Sequence, residues 1–348
     1  MSLSKLSAKS WISIVTFVLV AVVIYFSRHE LLKAWELLGR VNIWILLLIF
    51  PIQAISYYSA GAMVFSYLKE KYGLQVSRVE TAKMALELNF VNHILPSGGV
   101  SGASYMTWRL GHLGVNAGRA TLAQVVRLAM TFLGFLALLL VSVVAITVDG
   151  DISRSTILVA SGLASTIIFG SLVLIYVIAS KSRLNKFARL ITRYGNRFWK
   201  YILRRKAPLL QEDKVSVFFA DLHSDYQQLA QSPRVLRKPF LWGVLFTLAD
   251  VGMFWITFLA LGTPINPAPL VIAYGLAALA GTFFLTPGGV GGFEALMVGF
   301  LSTTGIDHGA IIAAVLLTRT LLILATIISG YYFYQKALNK YGSNTAKR

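Results

Sequence analysis

The sequence predicts an all-α protein: a polytopic bundle of membrane helices built on an inverted repeat, with two broken, re-entrant helix hairpins. Three observations predict it. Of 348 residues, 56% are hydrophobic and only 13% charged, with mean hydropathy +0.69; that is about half the charge share of a soluble domain. Several apolar stretches reach the ~20 residues that a helix needs to cross a ~30 Å hydrocarbon layer. Finally, two glycine-rich breaks interrupt the apolar pattern, Leu95-Pro96-Ser97-Gly98-Gly99-Val100-Ser101-Gly102 and Leu285-Thr286-Pro287-Gly288-Gly289-Val290-Gly291-Gly292. Their Gly-Gly-Val triplets superpose at an offset of 190 residues, which places Gly102 on Gly292 and Ser104 on Glu294. Each break leads through a short apolar arm to a long apolar helix holding one arginine, Arg127 or Arg319, 28 residues after Gly99 and 30 after Gly289. An internal repeat is the economical explanation.

The elements follow in order. Lys5 and Lys9 precede Trp11–Ser27, which no small-x-small cleavage site follows, so it is expected to be a retained first span with a cytoplasmic N-terminus. A second span, about 41–68, returns inward to Lys69, Lys71, Arg78 and Lys83. Residues 84–95 then make only ~18 Å of helix, too short to cross. With the break and the arm to Leu110, they are expected to dip into the membrane and return, and Arg109 and Arg119 mark the return. Non-helical backbone at that depth must be buried in protein or line a wet cavity. Spans follow at 120–148, 156–179, 239–261 and 310–334. The second break lies between flanks 270–286 and 293–303, and the first flank is also long enough to span.

Between the membrane parts, residues 180–238 carry 14 Lys/Arg against 4 Asp/Glu. Leu184, Phe187, Ile191, Tyr194, Phe198 and Tyr201 recur at spacings of three and four, with Arg183, Lys186, Arg189, Arg193, Arg197 and Lys200 between them. This is an amphipathic basic helix suited to an anionic leaflet. The chain thus divides into an N-terminal membrane half (1–179) holding the first hairpin and Arg127, a basic segment (180–238), a C-terminal membrane half (239–335) holding the second hairpin and Arg319, and a tail (336–348). This topology puts 26 Lys/Arg in the cytoplasm, four outside and two within spans, with both termini cytoplasmic.

Net charge +18 therefore reports orientation and lipid contact, not nucleic acid. The absence of cysteine excludes thiolate catalysis and cysteine metal sites. No P-loop and no HExxH-type spacing occurs, so no metal, cofactor or nucleotide is expected.

The repeat carries the functional argument. By parity the first hairpin enters from the cytoplasm and the second from outside, a build in which substrates sit near the midplane on broken helices. Gly98, Gly99, Gly288, Gly289, Gly291 and Gly292 allow tight turns with exposed N–H groups, and a helix starts directly after each, an arrangement that favours an anion. A charge at membrane depth costs about 2.5–3.5 kcal/mol on the lenient scale, so Arg127 and Arg319 are expected to face a cavity or a partner. Together these point to an anionic substrate, with phosphate matching the guanidinium fork. Plainer roles stand beside these. Either arginine could snorkel, Glu294 could cap a helix, pair with Arg319 or carry a proton, and Asn92 and His93 could satisfy loop backbone. Glu87 and Asp250 are further candidates for proton or ion coupling.

The run from Pro287 to Glu294, then Gly305 and Ala313-Ala314-Val315-Leu316-Leu317-Thr318-Arg319, resembles the flippase-like membrane domain of bifunctional lysylphosphatidylglycerol synthases and of stand-alone bacterial and archaeal proteins. Asn89, Asn92, Leu95-Pro96, Gly98-Gly99 and Arg127 are similar to its first motif, and the resemblance covers roughly 10–335. It implies movement of phospholipid between leaflets of a bacterial inner membrane. The lysine-attaching domain of the bifunctional members would need a few hundred residues beyond the last span, so no enzyme is expected here. The expectation is a translocase of an anionic phospholipid or lipid phosphate that can form homo-oligomers. The alternatives are a secondary transporter of a small soluble anion or a lipid-modifying membrane enzyme.

Overall fold

A computed structural model of the chain describes residues 36, 39, 41–95, 100–149, 154–203, 212–281 and 289–342. The expected first span, Gly98, Gly99 and Gly288 lie outside the described residues.

Among the described residues the secondary structure is helical, without strands. A short turn α1 (Ile43–Leu46) is capped by Asn42, whose Oδ1 accepts the Trp44 N–H, and α2 (Ile49–Tyr72) ends on Gly73 at φ +71, the left-handed stop that glycine allows. α3 (Arg78–Ile94) starts six residues before the expected 84. Ser77 Oγ accepts the Glu80 N–H, so the charged run 78–83 is the first turn of a helix. α4 (Val100–Gly111) and α5 (Ala117–Asp149) follow, then α6 (Arg154–Ile178), α7 (Lys181–Leu203) and α8 (Glu212–Ala230). The second half contains α9 (Arg237–Ala260), α10 (Pro267–Gly281), α11 (Gly292–Leu301) and α12 (His308–Tyr341).

Among the described residues five helices are long and apolar enough to cross a bilayer: 43–72, 117–148, 156–178, 233–260 and 308–341. The protein is an integral, multi-pass membrane protein. By contrast the described parts of α3, α4, α10 and α11 have 17, 12, 15 and 10 residues, and α3 reaches ~25 Å at 1.5 Å per residue. The 270–286 flank is helical only to Gly281 among the described residues.

Packing repeats in the two halves with partners exchanged. The N-terminal part of α5 packs on α4 of its own half, through Met106, Leu110, Leu122 and Val126. Its C-terminal part receives α10 of the other half, where Gly275 lies so close that a β-carbon would stand 1.9 Å from the Phe135 ring. Likewise the start of α12 packs on α11, and its later part receives α3, with Gly330 against Phe90. The preceding spans α2 and α9 pack on each other, and α9 also packs on α5. There Gly134 and Gly243 bring the backbones together: a β-carbon on Gly243 would lie 2.3 Å from the Met130 carbonyl oxygen. Small residues that let backbones approach are the usual means of close packing in lipid.

α7 and α8 pack together beside α5. Leu184, Ala188 and Thr192 are the buried face of α7. Phe187, Leu190, Ile191 and Tyr194 remain exposed with Arg189, Arg193 and Arg197, so Phe187, Ile191 and Tyr194 of the expected apolar stripe face outward. α8 is tied to the membrane helices by Arg119–Asp225 at 3.8 Å, by Lys71 Nζ to the Gln228 carbonyl at 2.8 Å and by His223 Nδ1 with the Ile178 carbonyl at 2.9 Å.

Candidate functional site

The second half gathers the larger polar cluster. Gly289 and Gly291 have φ of +71 and +91, a region that side chains other than glycine enter at a cost. They turn the chain into α11, whose third residue, Glu294, reaches back: its Oε2 accepts the Gly291 N–H at 2.7 Å. The other oxygen accepts Nε of Arg319 at 2.7 Å. The guanidinium also covers the Phe293 ring, 4.6 Å from its centroid. Phe293 is held by Phe254, stacked at 5.9 Å, and by Tyr274, edge-on at 6.0 Å.

Asp250 on α9 accepts from Ser56 Oγ on α2 and Tyr274 Oη on α10, so one carboxylate joins three helices. Around these, Gln53 Nε2 donates to Tyr57 Oη, the Leu322 carbonyl and Thr326 Oγ1 at 3.0–3.1 Å, and Thr318 Oγ1 donates to Thr257 at 2.6 Å. The polar faces of α2, α9 and α12 meet here, so the span interiors are hydrogen-bonded where hydrocarbon would leave polar groups unsatisfied.

The first hairpin differs. Its ion pair lies within the hairpin: Arg109 on α4 donates Nε to Glu87 Oε2 and Nη2 to Glu80 Oε1, both at 2.7 Å. Tyr105 Oη also donates to Glu87 at 2.9 Å, and the Arg109 guanidinium lies over the Tyr341 ring. Both Arg109 and Glu87 are 2% exposed. Asn92 Oδ1 accepts the Gly102 N–H at 3.1 Å across the break. A β-carbon on residue 102 would fall 2.1 Å from that oxygen, so any larger residue there has to push the Asn92 side chain aside. His93 Nδ1 meets the Asn89 carbonyl at 2.8 Å.

Arg127 makes no hydrogen bond or ion pair with either cluster among the described residues. Its Nε donates to Gln124 Oε1 at 3.1 Å. No carboxylate among the described residues pairs with it. It is half-buried, ten residues into α5 and thus ~15 Å along the axis, and the next residue, Leu128, is exposed. Ser104, at the position of Glu294, is exposed and donates to the Val100 carbonyl at 2.9 Å.

The structure therefore joins Arg319, Glu294 and Gly291 directly, links them through Phe293 and Tyr274 to Asp250, leaves Gly289 and Gly292 as the turn and helix start, and gives Arg127 a bond to Gln124 instead. Glu87 and Asn92 are engaged within the first hairpin. The residues that sequence reasoning missed are Arg109, read as a membrane flank, and the polar face Gln53, Ser56, Tyr57 of α2. The three- and four-residue spacing of that face inside a span was a legible signal.

Membrane-spanning helices, paired short-helix hairpins and charges held between helices define a polytopic membrane protein with a polar interior. The chain belongs to the lysylphosphatidylglycerol synthase TM region family, whose model matches residues 10–330. No curated protein matches it.

Proposed function

We propose that the protein translocates an anionic phospholipid or lipid phosphate between leaflets, without covalent change to the lipid. The observation that carries this reading is Arg127: a half-buried guanidinium on a spanning helix, without a carboxylate partner among the described residues. An unpaired charge at that depth is costly, and a phosphodiester can compensate it with charge-assisted hydrogen bonds. The adjacent exposed Leu128 favours a ligand whose acyl chains stay in the bilayer over a soluble anion. In this reading the two hairpins are re-entrant and mirror-related, and exchange of partners between halves gives the rocking unit that alternating access needs. Both termini and the basic α7 face the cytoplasm of a bacterial inner membrane.

The test is a leaflet-resolved assay in proteoliposomes with fluorescent phosphatidylglycerol and phosphatidylcholine. Wild-type protein is expected to move the anionic lipid faster, and Arg127→Ala to reduce that movement to the protein-free rate while leaving the melting temperature unchanged or higher. Wild-type rates in Arg127→Ala would overturn the reading, and accumulation of a soluble anion in place of lipid movement would transfer Arg127 to solute transport.

A further inference from the structure

Of the three carboxylates that the sequence offers for proton or ion coupling, Glu87 is held by Arg109 and Glu294 by Arg319. Asp250 forms no ion pair among the described residues. Its two oxygens are taken by neutral donors, Oδ1 by the Ser56 hydroxyl and Oδ2 by the Tyr274 hydroxyl. It is half-buried, ten residues before the end of α9 and thus ~15 Å along the axis from that end. A carboxylate at membrane depth without a cation is costly, and taking up a proton removes the cost. The helices packed on α9 bring few ionisable groups to this junction. α2 contributes Tyr57, bonded to Gln53 and Thr326, and its Glu70 pairs with Lys238 at the opposite end of α9. α10 contributes Tyr274, and α1 carries no ionisable side chain. Arg319 of α12 is paired with Glu294 and meets the junction through Phe293 and Tyr274. Arg127 of α5 is bonded to Gln124, and Arg234 lies in the turn before α9.

The two bonds to Asp250 are not equivalent. Ser56 is fully buried where α2 packs on α9. Tyr274 is half-buried on the 15-residue α10, and its neighbour Gly275 is set against Phe135 of α5, eight residues beyond Arg127. A charged Asp250 accepts both hydroxyl protons. A protonated oxygen donates instead, so the hydroxyl that faces it has to accept and turn its own proton elsewhere. We infer that Asp250 is a proton-binding site coupled to lipid movement: charged, it ties α10 to α2 and α9, and protonated at Oδ2, it releases Tyr274 and with it α10, which leans on the Arg127 helix. The inference rests on the reading of Arg127 as the lipid site. One proton is taken up by the Asp250 carboxylate from one side of the membrane and given up to the other for each anionic lipid moved. No bond of the lipid changes.

Two measurements on the full chain in proteoliposomes test this. Infrared difference spectra between about pH 8 and about pH 5, a range in which buried carboxyls titrate, are expected to show the carbonyl band of a neutral carboxylic acid. Asp250→Asn should remove that band and Tyr274→Phe should shift it. Absence of the band from wild type, or its survival unshifted in both variants, overturns the proton site. The second measurement is the leaflet distribution of fluorescent phosphatidylglycerol under an imposed pH difference. With one proton per lipid, one pH unit is expected to skew the wild-type distribution about tenfold. Asp250→Asn should abolish the skew and Tyr274→Phe weaken it. A distribution blind to the pH difference while lipid still moves overturns the coupling, as does a skew that persists in Asp250→Asn. A skew set by a sodium gradient in place of the pH difference overturns the assignment to a proton. Wild-type protein that shows the Asp250 band yet moves no lipid overturns the translocation reading and leaves the proton site standing. Should Asp250→Asn fail to fold, Tyr274→Phe, which removes only a hydroxyl, carries both readouts, and an unshifted band with an undiminished skew in it overturns the inference.

Discussion

The regions around the two glycine breaks differ in where the carboxylate sits. In the first, Glu87 and Glu80 hold Arg109 within the hairpin itself, and the arginine of the long helix has no acidic partner among the described residues. In the second, Glu294 spans from hairpin to long helix and holds Arg319. One design therefore gives a sealed hairpin beside an open cation, and the other a hairpin latched to its cation. A repeated sequence motif fixes the position of the arginine but not its electrostatic state. At the position where the second copy carries Glu294, the first carries Ser104, which has no charge to offer.

The largest effect expected from breaking the comparison lies in the sealed hairpin. Glu87→Ala leaves the Arg109 guanidinium, 2% exposed, facing Glu80 alone, and removal of one partner from a buried pair costs about 3–5 kcal/mol. Thermal unfolding in detergent should show a large drop in melting temperature, with partial recovery in a Glu87→Leu, Arg109→Met double variant. Arg127→Leu should move the other way, neutral or stabilising, because it removes a charge that lacks a partner. If both variants lose stability equally, Arg127 is as structurally committed as Arg109 and the contrast fails.

Next in size are the glycine contacts through which the halves exchange helices. Gly243→Ala places a β-carbon 2.3 Å from the Met130 carbonyl oxygen, a backbone atom that cannot rotate aside, so about 1–3 kcal/mol is lost to overpacking. The counterpart pair, α2 and α12, meets instead through Gln53, Tyr57 and Thr326. There Tyr57→Phe removes a hydroxyl shared with Thr326 and should cost about 1 kcal/mol. A ranking of the two melting temperatures in the reverse order would show that the polar contact, not the glycine contact, joins the halves.

Much of this was legible in the chain. The spans at 120–148, 156–179 and 239–261 fall within three residues of α5, α6 and α9, because apolar length alone sets them. The start of α3 was not, since Arg78, Glu80 and Lys83 read as flanking charge, and only the Ser77 cap shows them to be the first helical turn. Glu294 as a counter-ion for Arg319 was one of the readings open from sequence, for its distance from Gly291 is local. Arg109 with Glu87 and Glu80, or Asp250 with Ser56 and Tyr274, could not be read. Each joins helices far apart in the chain, and no periodicity within a helix names its partner on another. The split fate of Arg127 and Arg319 escaped for the same reason, because the motif repeats while the neighbours do not.

The smallest change in stability belongs to the substitution that tests the comparison most directly. Ser104→Glu gives the first hairpin the carboxylate of the second, at the position fixed by the 190-residue offset. Ser104 is exposed and its hydroxyl bonds only the Val100 carbonyl of its own helix, so a new pair there is worth about 0–1 kcal/mol. Its effect on anions should nonetheless be large, because a tethered carboxylate competes at high local concentration. Phosphatidylglycerol movement is expected to fall towards the rate of Arg127→Ala with an almost unchanged melting temperature. Undiminished lipid movement in Ser104→Glu would mean that residue 104 does not face Arg127 as residue 294 faces Arg319, and that the two-residue difference in arm length, 28 against 30, has turned the first arm away from its arginine.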